Sequence, residues 1–277
     1  MKQIKVLFFL LVLFVTQLQA QDIRIATFNL RYDNPKDSGN LWSSRVPVVC
    51  ALIQFHDFDI FGTQEGLRHQ LDTMSAHLSE YARYGRGRDS GEGKGEHSAI
   101  FYKKAKYKLL DKGDFWLSET PEKVGPGWDA RLNRICSWVK LQEVKTKRSF
   151  YVFNVHYDHQ GVKARQESSK LILQKIQAIA GNTPVLLTGD FNGDHNSDWY
   201  QLIANSGVLK DSYKAVANPY ANNGSFNSFK TPTSNAIIDH IFSTKQFTVK
   251  KYGILTDSYY GKFPSDHFPV MADVRLK

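Results

Sequence analysis

Apolar residues recur along this chain with two periods. Short runs rich in β-branched and aromatic residues, bounded by polar or Gly-containing segments, predict strands over residues 23–31, 59–64, 98–103, 135–144, 150–157, 185–189, 237–243 and 270–275. Two stretches change to helical spacing. Over residues 163–180, Ala164, Leu171, Ile172, Ile176 and Ile179 recur at that spacing and Gly181 supplies a C-terminal stop. Over residues 44–56, Val48, Val49, Leu52 and Ile53 form the apolar side. Some strands follow one another directly and others are followed by helices, which predicts two packed mixed sheets with helices outside rather than a doubly wound parallel sheet.

The first 20 residues have a different pattern. Lys2 and Lys5 precede an uninterrupted apolar run over residues 6–15, and Gln17-Leu18-Gln19-Ala20 ends in a small residue. This pattern predicts a secretory signal peptide cleaved near Ala20, because the run is shorter than the roughly 20 residues a spanning helix needs. The expectation is therefore a secreted protein, periplasmic or extracellular, with a single domain over residues 21–277 and no integral membrane segment. No Cys follows the cleavage point, which argues against a lipid anchor there. Formal charge is +9, and +7 once Lys2 and Lys5 are removed, which favours anionic partners: nucleic acid, phosphorylated small molecules or acidic membrane surfaces. Cys50 and Cys136 are the only cysteines; falling in a predicted helix and a predicted strand, they are expected to be buried free thiols.

Candidate chemistry sits at the C-terminal ends of otherwise apolar strands, where polar groups are costly to bury unless they line a cleft. Six clusters do this: Thr27-Phe28-Asn29-Leu30, Thr63-Gln64-Glu65, Asn154 to His159, Thr188-Gly189-Asp190-Phe191-Asn192, Ile238-Asp239-His240 and Ser265-Asp266-His267-Phe268-Pro269. Asp190 and Asn192 are two apart, as are Asn154, His156 and Asp158, so each set projects from one strand face. Asn29, Glu65, Asp190 and Asp266 are hard oxygen donors suited to Mg²⁺ or Mn²⁺, with Ca²⁺ a further option, and the lack of a thiolate set argues against structural zinc.

The ordered series Asn29, Glu65, His156, Gly189-Asp190-Phe191-Asn192, Asp239 and Ser265-Asp266-His267 resembles the signature of the endonuclease/exonuclease/phosphatase superfamily, the deoxyribonuclease I-like fold. The longer strings Thr27 to Asn34, Gly62-Thr63-Gln64-Glu65 and His156-Tyr157-Asp158-His159 resemble a secreted bacterial branch related to deadenylase-like and nocturnin-like exonucleases. The resemblance implies a four-layer α/β/β/α sandwich and divalent-metal-dependent phosphoester hydrolysis. It gives Glu65 as principal metal ligand, with Asn29 and Asp266 close to the same ion. Asp190 and Asn192 would orient the attacking water and a phosphate oxygen. His267, fixed by Asp239, would serve as general base or hydrogen-bond the scissile phosphate, and His156 is a candidate general acid at the leaving oxygen.

Arg134, just before a predicted strand, is a candidate phosphate clamp because a guanidinium matches phosphate oxygens, and an ordinary surface salt bridge fits its position as well. Asp158 and His159 are expected to brace the cleft, and His56, His69, His77 and His195 to be surface or structural residues. The Gly/charge-rich loop 85–96, with Arg86, Arg88 and Lys94, is expected to be solvated. Nuclease activity leads the possible subtypes, followed by phosphatase activity on sugar, inositol or nucleotide phosphates. A lipid-headgroup phosphodiesterase would require more than the short aromatic stretch Tyr259-Tyr260-Gly261-Lys262. An inactive phosphate-binding scaffold would be expected to have lost Glu65, Asp190, Asn192 or His267. A monomer without protein partners is expected.

Overall fold

The structure, a computed structural model, describes residues 22–231 and 234–277, so the expected signal peptide lies outside the described residues. The chain folds into two six-stranded sheets. In the first, β1 (Asp22–Asn29), β2 (Ile60–Gln64), β3 (Tyr81–Tyr84), β4 (Ile100–Lys103), β11 (Phe247–Ile254) and β12 (Val270–Leu276) lie in the order β11-β12-β1-β2-β4-β3. In the second, β5 (Tyr107–Trp116), β6 (Ile135–Glu143), β7 (Ser149–His156), β8 (Val185–Asp190), β9 (Lys210–Asp211) and β10 (Asp239–Ser243) lie in the order β5-β6-β7-β8-β10-β9. Each sheet has one parallel pair, β1 with β2 and β7 with β8, and the other neighbours run antiparallel. A parallel pair needs a crossover, and the crossovers are the helices α1 (Trp42–Phe55) and α3 (Val162–Ala180).

Strand alternation divides the apolar residues among three cores. Ile25, Ile60, Val152, Leu186, Ile241 and Val270 pack between the sheets. Phe28 and Phe61, on the other face of the first sheet, pack with Val49 and Ile53 of α1 and with Leu71 and Met74 of α2 (Arg68–His77). Phe153 and Leu187, on the outer face of the second sheet, pack with Ile172 and Ile176 of α3 and with Tyr200 and Ile203 of α4 (Asp198–Ala204). The result is the four-layer α/β/β/α sandwich. Cys50 and Cys136 are buried and unpaired in the two different outer cores. Among the described residues, no helix is long and apolar enough to cross a membrane.

The inter-sheet face also carries the site. Going up β1, β2, β7 and β8, the aliphatic residues give way to a buried polar layer. Gln64 Nε2 donates to Thr27 Oγ1 at 3.0 Å and to Asn154 Oδ1 at 2.7 Å, and Asn154 Nδ2 donates to the carbonyls of Thr63 and Ala99. Gly62 makes this layer fit, because a Cβ there would lie 2.3 Å from Asn154 Oδ1. Gly62→Ala is therefore expected to cost about 1–3 kcal/mol, the usual scale for overpacking, read as a lower urea midpoint at unchanged m. An unchanged midpoint would show that the polar layer yields.

All eight strands and both helices predicted from the pattern are present, with ends within about two residues, the normal uncertainty of boundaries. The four strands not predicted, β3, β5, β9 and β11, are the four sheet edges. The α2 and α4 helices were not predicted either.

Candidate active site

The C-terminal ends of the parallel pairs from both sheets meet over the polar layer. Cross-strand register places His156 beside Asp190 and Asp190 beside Asp239, so β7, β8 and β10 present three ionisable groups in one row. In the other sheet Asn29 is level with Gln64, and Glu65 follows one residue later with φ 62°. Asn192 and Arg31 are also left-handed, at φ 46° and 56°, a conformation costly for non-Gly residues and concentrated at functional sites. Local bonds hold it: Asn192 N donates to Asp190 Oδ1 at 2.9 Å, Asn192 Nδ2 to the Tyr157 carbonyl at 3.0 Å, and Arg31 N to Asn29 Oδ1 at 3.0 Å.

The first-sheet groups bridge to the second through Asn29, whose Nδ2 donates to Glu65 Oε1 at 3.2 Å and to Asp190 Oδ2 at 3.0 Å. Tyr32 N donates to Glu65 Oε2 at 3.0 Å. Ser265 Oγ donates to the Asn29 carbonyl at 2.7 Å, which brings Asp266 to the same cleft. His267 Nδ1 pairs with Asp239 Oδ2 at 2.8 Å and turns Nε2 toward Asp190 Oδ2, 3.8 Å away, while His156 Nε2 lies 3.5 Å from the same oxygen. The cleft has a volume of about 790 Å³, and Glu65, His156, Asp190, Asn192, Asp266, His267 and Arg134 all line it. Asn29 and Asp239 are fully buried behind these groups and position them.

Burial dominates the electrostatics of the acids. Desolvation, reinforced by Asp239, raises Asp190 to about 7. Desolvation and the neighbouring Glu65 raise Asp266 to about 6 against the pull of His267. Desolvation raises Glu96 to about 7 despite its 2.6 Å bond from Arg88. Burial disfavours a charged His267, but Asp239, Asp190 and Asp266 outweigh it and hold the ring up at about 10. His156 is held well below the ordinary imidazole value by burial and then by Arg134, Arg88 and His267.

These acids also test the fit of a metal. Glu65 and Asp266 offer hard oxygens, to which Asn29 would add Oδ1 if its amide turned over, and two carboxyls of the cleft floor, Asp190 and Asp266, are raised, a strain that a divalent cation would relieve. Asp190, Asp239 and His267 also have ligand atoms within 4.8 Å of one another. Since His267 Nδ1 is committed to Asp239, that trio reads as a paired acid and base, and the oxygen set is the better cradle.

Arg134 is buried, so it is no surface salt bridge: Nε meets Asp158 Oδ1 at 3.4 Å, Nη2 meets His159 Nδ1 at 3.0 Å, and Nη1 has no partner among the described residues. Asp158 braces this end of the cleft. Burial opposes its charge, but amide hydrogens of Gly161, Arg131 and Gln160, together with Arg134, bring it down to about 2. His56 and His69 bond to Asp257 and Asp33, away from the cleft. The charged loop is less solvated than expected, since Arg88 is buried against Glu96 and Arg86 lies 3.7 Å from Asp114.

Sequence reading missed two contributions. Phe226, Ser228 and Phe229 form one wall of the cleft, with the amides of Asn227 and Ser228 on the Asp266 carbonyl at 2.7 and 3.0 Å and the Phe226 ring edge-on to His267. Aromatic residues alternating with small polar ones over 224–229 were the available signal. Arg45 is buried and donates to the carbonyls of Leu30, Arg31, Asn40 and Pro264, clamping the end of β1 to the segment before Ser265. An Arg on a helix gives no such signal in sequence.

Comparison with known proteins agrees with this geometry. A 46% identical structure, a family protein from Bacteroides thetaiotaomicron, superposes with a TM-score of 0.91 over 94% of this chain and 99% of its own. A mannosyl-6-phosphatase of Bacteroides thetaiotaomicron VPI-5482 is also 46% identical, with a TM-score of 0.90 over 92% and 100% of the two chains. A probable CCR4-Not complex 3'-5'-exoribonuclease subunit Ccr4 of Vairimorpha ceranae is 22% identical over 283 residues, and the match spans 86% of this chain but only 56% of that relative's length. The pattern of the Endonuclease/Exonuclease/phosphatase family matches residues 26–267, from the first strand to the His267 that pairs with Asp239. The chain therefore belongs to this family of divalent-metal-dependent phosphoric ester hydrolases.

Proposed function

We propose that this chain is an exported phosphatase that removes the phosphate of a small phosphorylated sugar. The observation that carries this reading is the state of the cations around the cleft. Arg31 is tied to Asp37 at 2.8 and 3.0 Å and Arg88 to Glu96, which leaves Arg134, through Nη1, and His267 as the donors for one phosphate group. A nuclease groove would need a lane of unpaired cations to follow a polyanion. The 46% identical mannosyl-6-phosphatase supports the same substrate class. A nuclease is the second reading, favoured by the formal charge of +9.

In this reading Glu65, Asn29 and Asp266 hold the divalent ion, for which Mg²⁺ and Mn²⁺ are first choices. When bound, it supplies Lewis-acid neutralisation of charge building on the phosphate. Arg134, held by Asp158 and His159 through Nε and Nη2, would orient a phosphate oxygen through Nη1. Asp190 is placed to take a proton from the attacking water, with Asn192, whose backbone N donates to Asp190 Oδ1, beside it to hold that water in line. His267, cationic through its pairing with Asp239, donates from Nε2 to a phosphate oxygen. His156 enters as a neutral ring, takes up a proton from solvent as the phosphate dianion arrives, and gives that proton to the leaving sugar oxygen.

The test is hydrolysis of mannose 6-phosphate, p-nitrophenyl phosphate, bis-p-nitrophenyl phosphate and single-stranded nucleic acid, with Mg²⁺, Mn²⁺ or a chelator. Metal-dependent release of phosphate from the sugar ester is expected to dominate; preferential cleavage of nucleic acid would replace this reading with the second one. Arg134→Lys is expected to raise KM for the sugar phosphate roughly 10- to 100-fold, because a hydrogen bond to a charged group is worth about 1.5–3 kcal/mol and Lys cannot keep the Asp158 and His159 contacts that aim Nη1. Unaltered KM would remove Arg134 from substrate binding.

A further inference from the structure

We propose a second metal site, for a borderline divalent ion such as Zn²⁺, formed by His195, Asp211 and His240 on the outer face of the second sheet. This goes beyond the hydrolytic site, whose donors are oxygens. The three residues arrive from separate elements: His195 from the loop between β8 and α4, Asp211 from the edge strand β9, and His240 from β10, one residue past Asp239 and on the opposite face of that strand. Asp211 pairs in register with Phe242, which puts it on the face that carries His240. One ligand atom from each residue falls within 4.8 Å of the others.

The second observation is the state of His240. It is fully buried, and its Nε2 lies 2.9 Å from the Gly193 carbonyl, which can only accept. That bond places the ring proton on Nε2 and leaves the Nδ1 lone pair facing inward, where it has no partner among the described residues. A ring whose far nitrogen donates to a backbone carbonyl is the usual support for a metal-bound imidazole. His195 is comparable. Its Nε2 faces Asp211 Oδ2 at 3.2 Å, an ion-pair distance without an aligned hydrogen bond.

The spacing suits an ion. Ligands bound at about 2.0–2.1 Å round a tetrahedral centre stand roughly 3.3 Å apart. The rings are already oriented: His195 stacks on Tyr213 at 4.8 Å and meets Tyr200 edge-on at 4.9 Å, and Tyr200 OH donates to Asp211 Oδ2 at 2.6 Å. His195 is partly exposed, which provides a route for entry and leaves a coordination position for water. Two imidazoles and one carboxylate suit Zn²⁺, whereas the oxygen set across the sheet suits a harder ion.

Zn²⁺ retention after chelation, reloading and desalting tests this, on tag-free protein carrying Glu65→Gln to weaken the hydrolytic site. About one Zn²⁺ per chain is expected in Glu65→Gln and a loss of at least tenfold in affinity in Glu65→Gln/His195→Gln. His195 is partly exposed, so its replacement should fold, which circular dichroism checks. Co²⁺ added to the Glu65→Gln protein is expected to give the intense visible absorption of a four-coordinate site, abolished by His195→Gln. No retained Zn²⁺ in Glu65→Gln, or equal retention with and without His195, would overturn the proposal.

Discussion

Replacing Glu65 with Gln is expected to lower kcat/KM for phosphoester hydrolysis about 10³-fold or more while the protein stays folded. The side chain combines three demands that only a carboxylate meets. Its Oε2 accepts from Tyr32 N, its Oε1 accepts from Asn29 Nδ2, and its negative charge faces the cleft beside Asp266. Gln keeps the length and one acceptor but removes the charge that holds a divalent ion. A 10³-fold loss is about 4 kcal/mol of transition-state stabilisation, within the several kcal/mol that a bound cation supplies. The fold should survive because Glu65 is only partly buried and the three cores do not include it. Steady-state kinetics across a range of Mg²⁺ and Mn²⁺ concentrations, with a thermal melt as control, would decide. Wild-type rates at saturating metal would show that Glu65 is not the principal ligand.

Asp239→Asn is expected to lower kcat/KM about 10²–10³-fold near neutral pH, with a deficit that grows as pH rises. Burial opposes charge on His267, and Asp239 is the strongest of the acids that overcome it and hold the ring up at about 10. Without that carboxylate the ring should fall back toward the ordinary value of about 6.5 or lower. A base with a raised value stays cationic until pH reaches that value, so the wild type keeps its Nε2 donor across the neutral range and the variant loses it there. The alkaline limb of the kcat/KM profile should therefore move to lower pH in Asp239→Asn. The stability linkage has the same sign: the pair contributes stability that is complete below the unfolded value near 6.5 and lost as pH rises through about 10. A variant with lower rates but an unshifted limb would mean that Asp239 only orients the ring.

The two sheets also explain which strands the sequence disclosed. The eight predicted strands all lie inside a sheet, where neighbours on both sides and cores on the faces demand apolar runs such as Val185-Leu186-Leu187. The edges could be more polar. β5 carries Lys108, Asp111, Lys112 and Asp114 among its ten residues, and β11 carries Lys250 and Lys251, because an edge strand is hydrogen-bonded on one side and benefits from charge that discourages further pairing. The helix α2 was hidden differently. It is ten residues long and buries only Gln70, Leu71 and Met74, too few for a clear helical period.

The sequence by itself determined the identity and order of the site groups. Acids, amides and imidazoles at strand ends cannot be accommodated by an apolar core, so their recurrence after Val, Ile and Leu runs marked a cleft before any coordinates existed. The oxygen character of the candidate metal set was legible there too. Tertiary structure decided what depends on neighbours distant in the chain. Asn29 bonds to Glu65, 36 residues on, and to Asp190, 161 residues on, and Arg45 clamps the carbonyl of Pro264, 219 residues away. His195, read from the sequence as a surface or structural residue, stands beside Asp211 and His240 only because β9 pairs with β10. Charge state was decided there as well. His156 and His267 have the same intrinsic chemistry, yet burial beside Arg134 keeps one neutral and three carboxylates make the other a cation, since the free energy of a buried charge is set by what surrounds it.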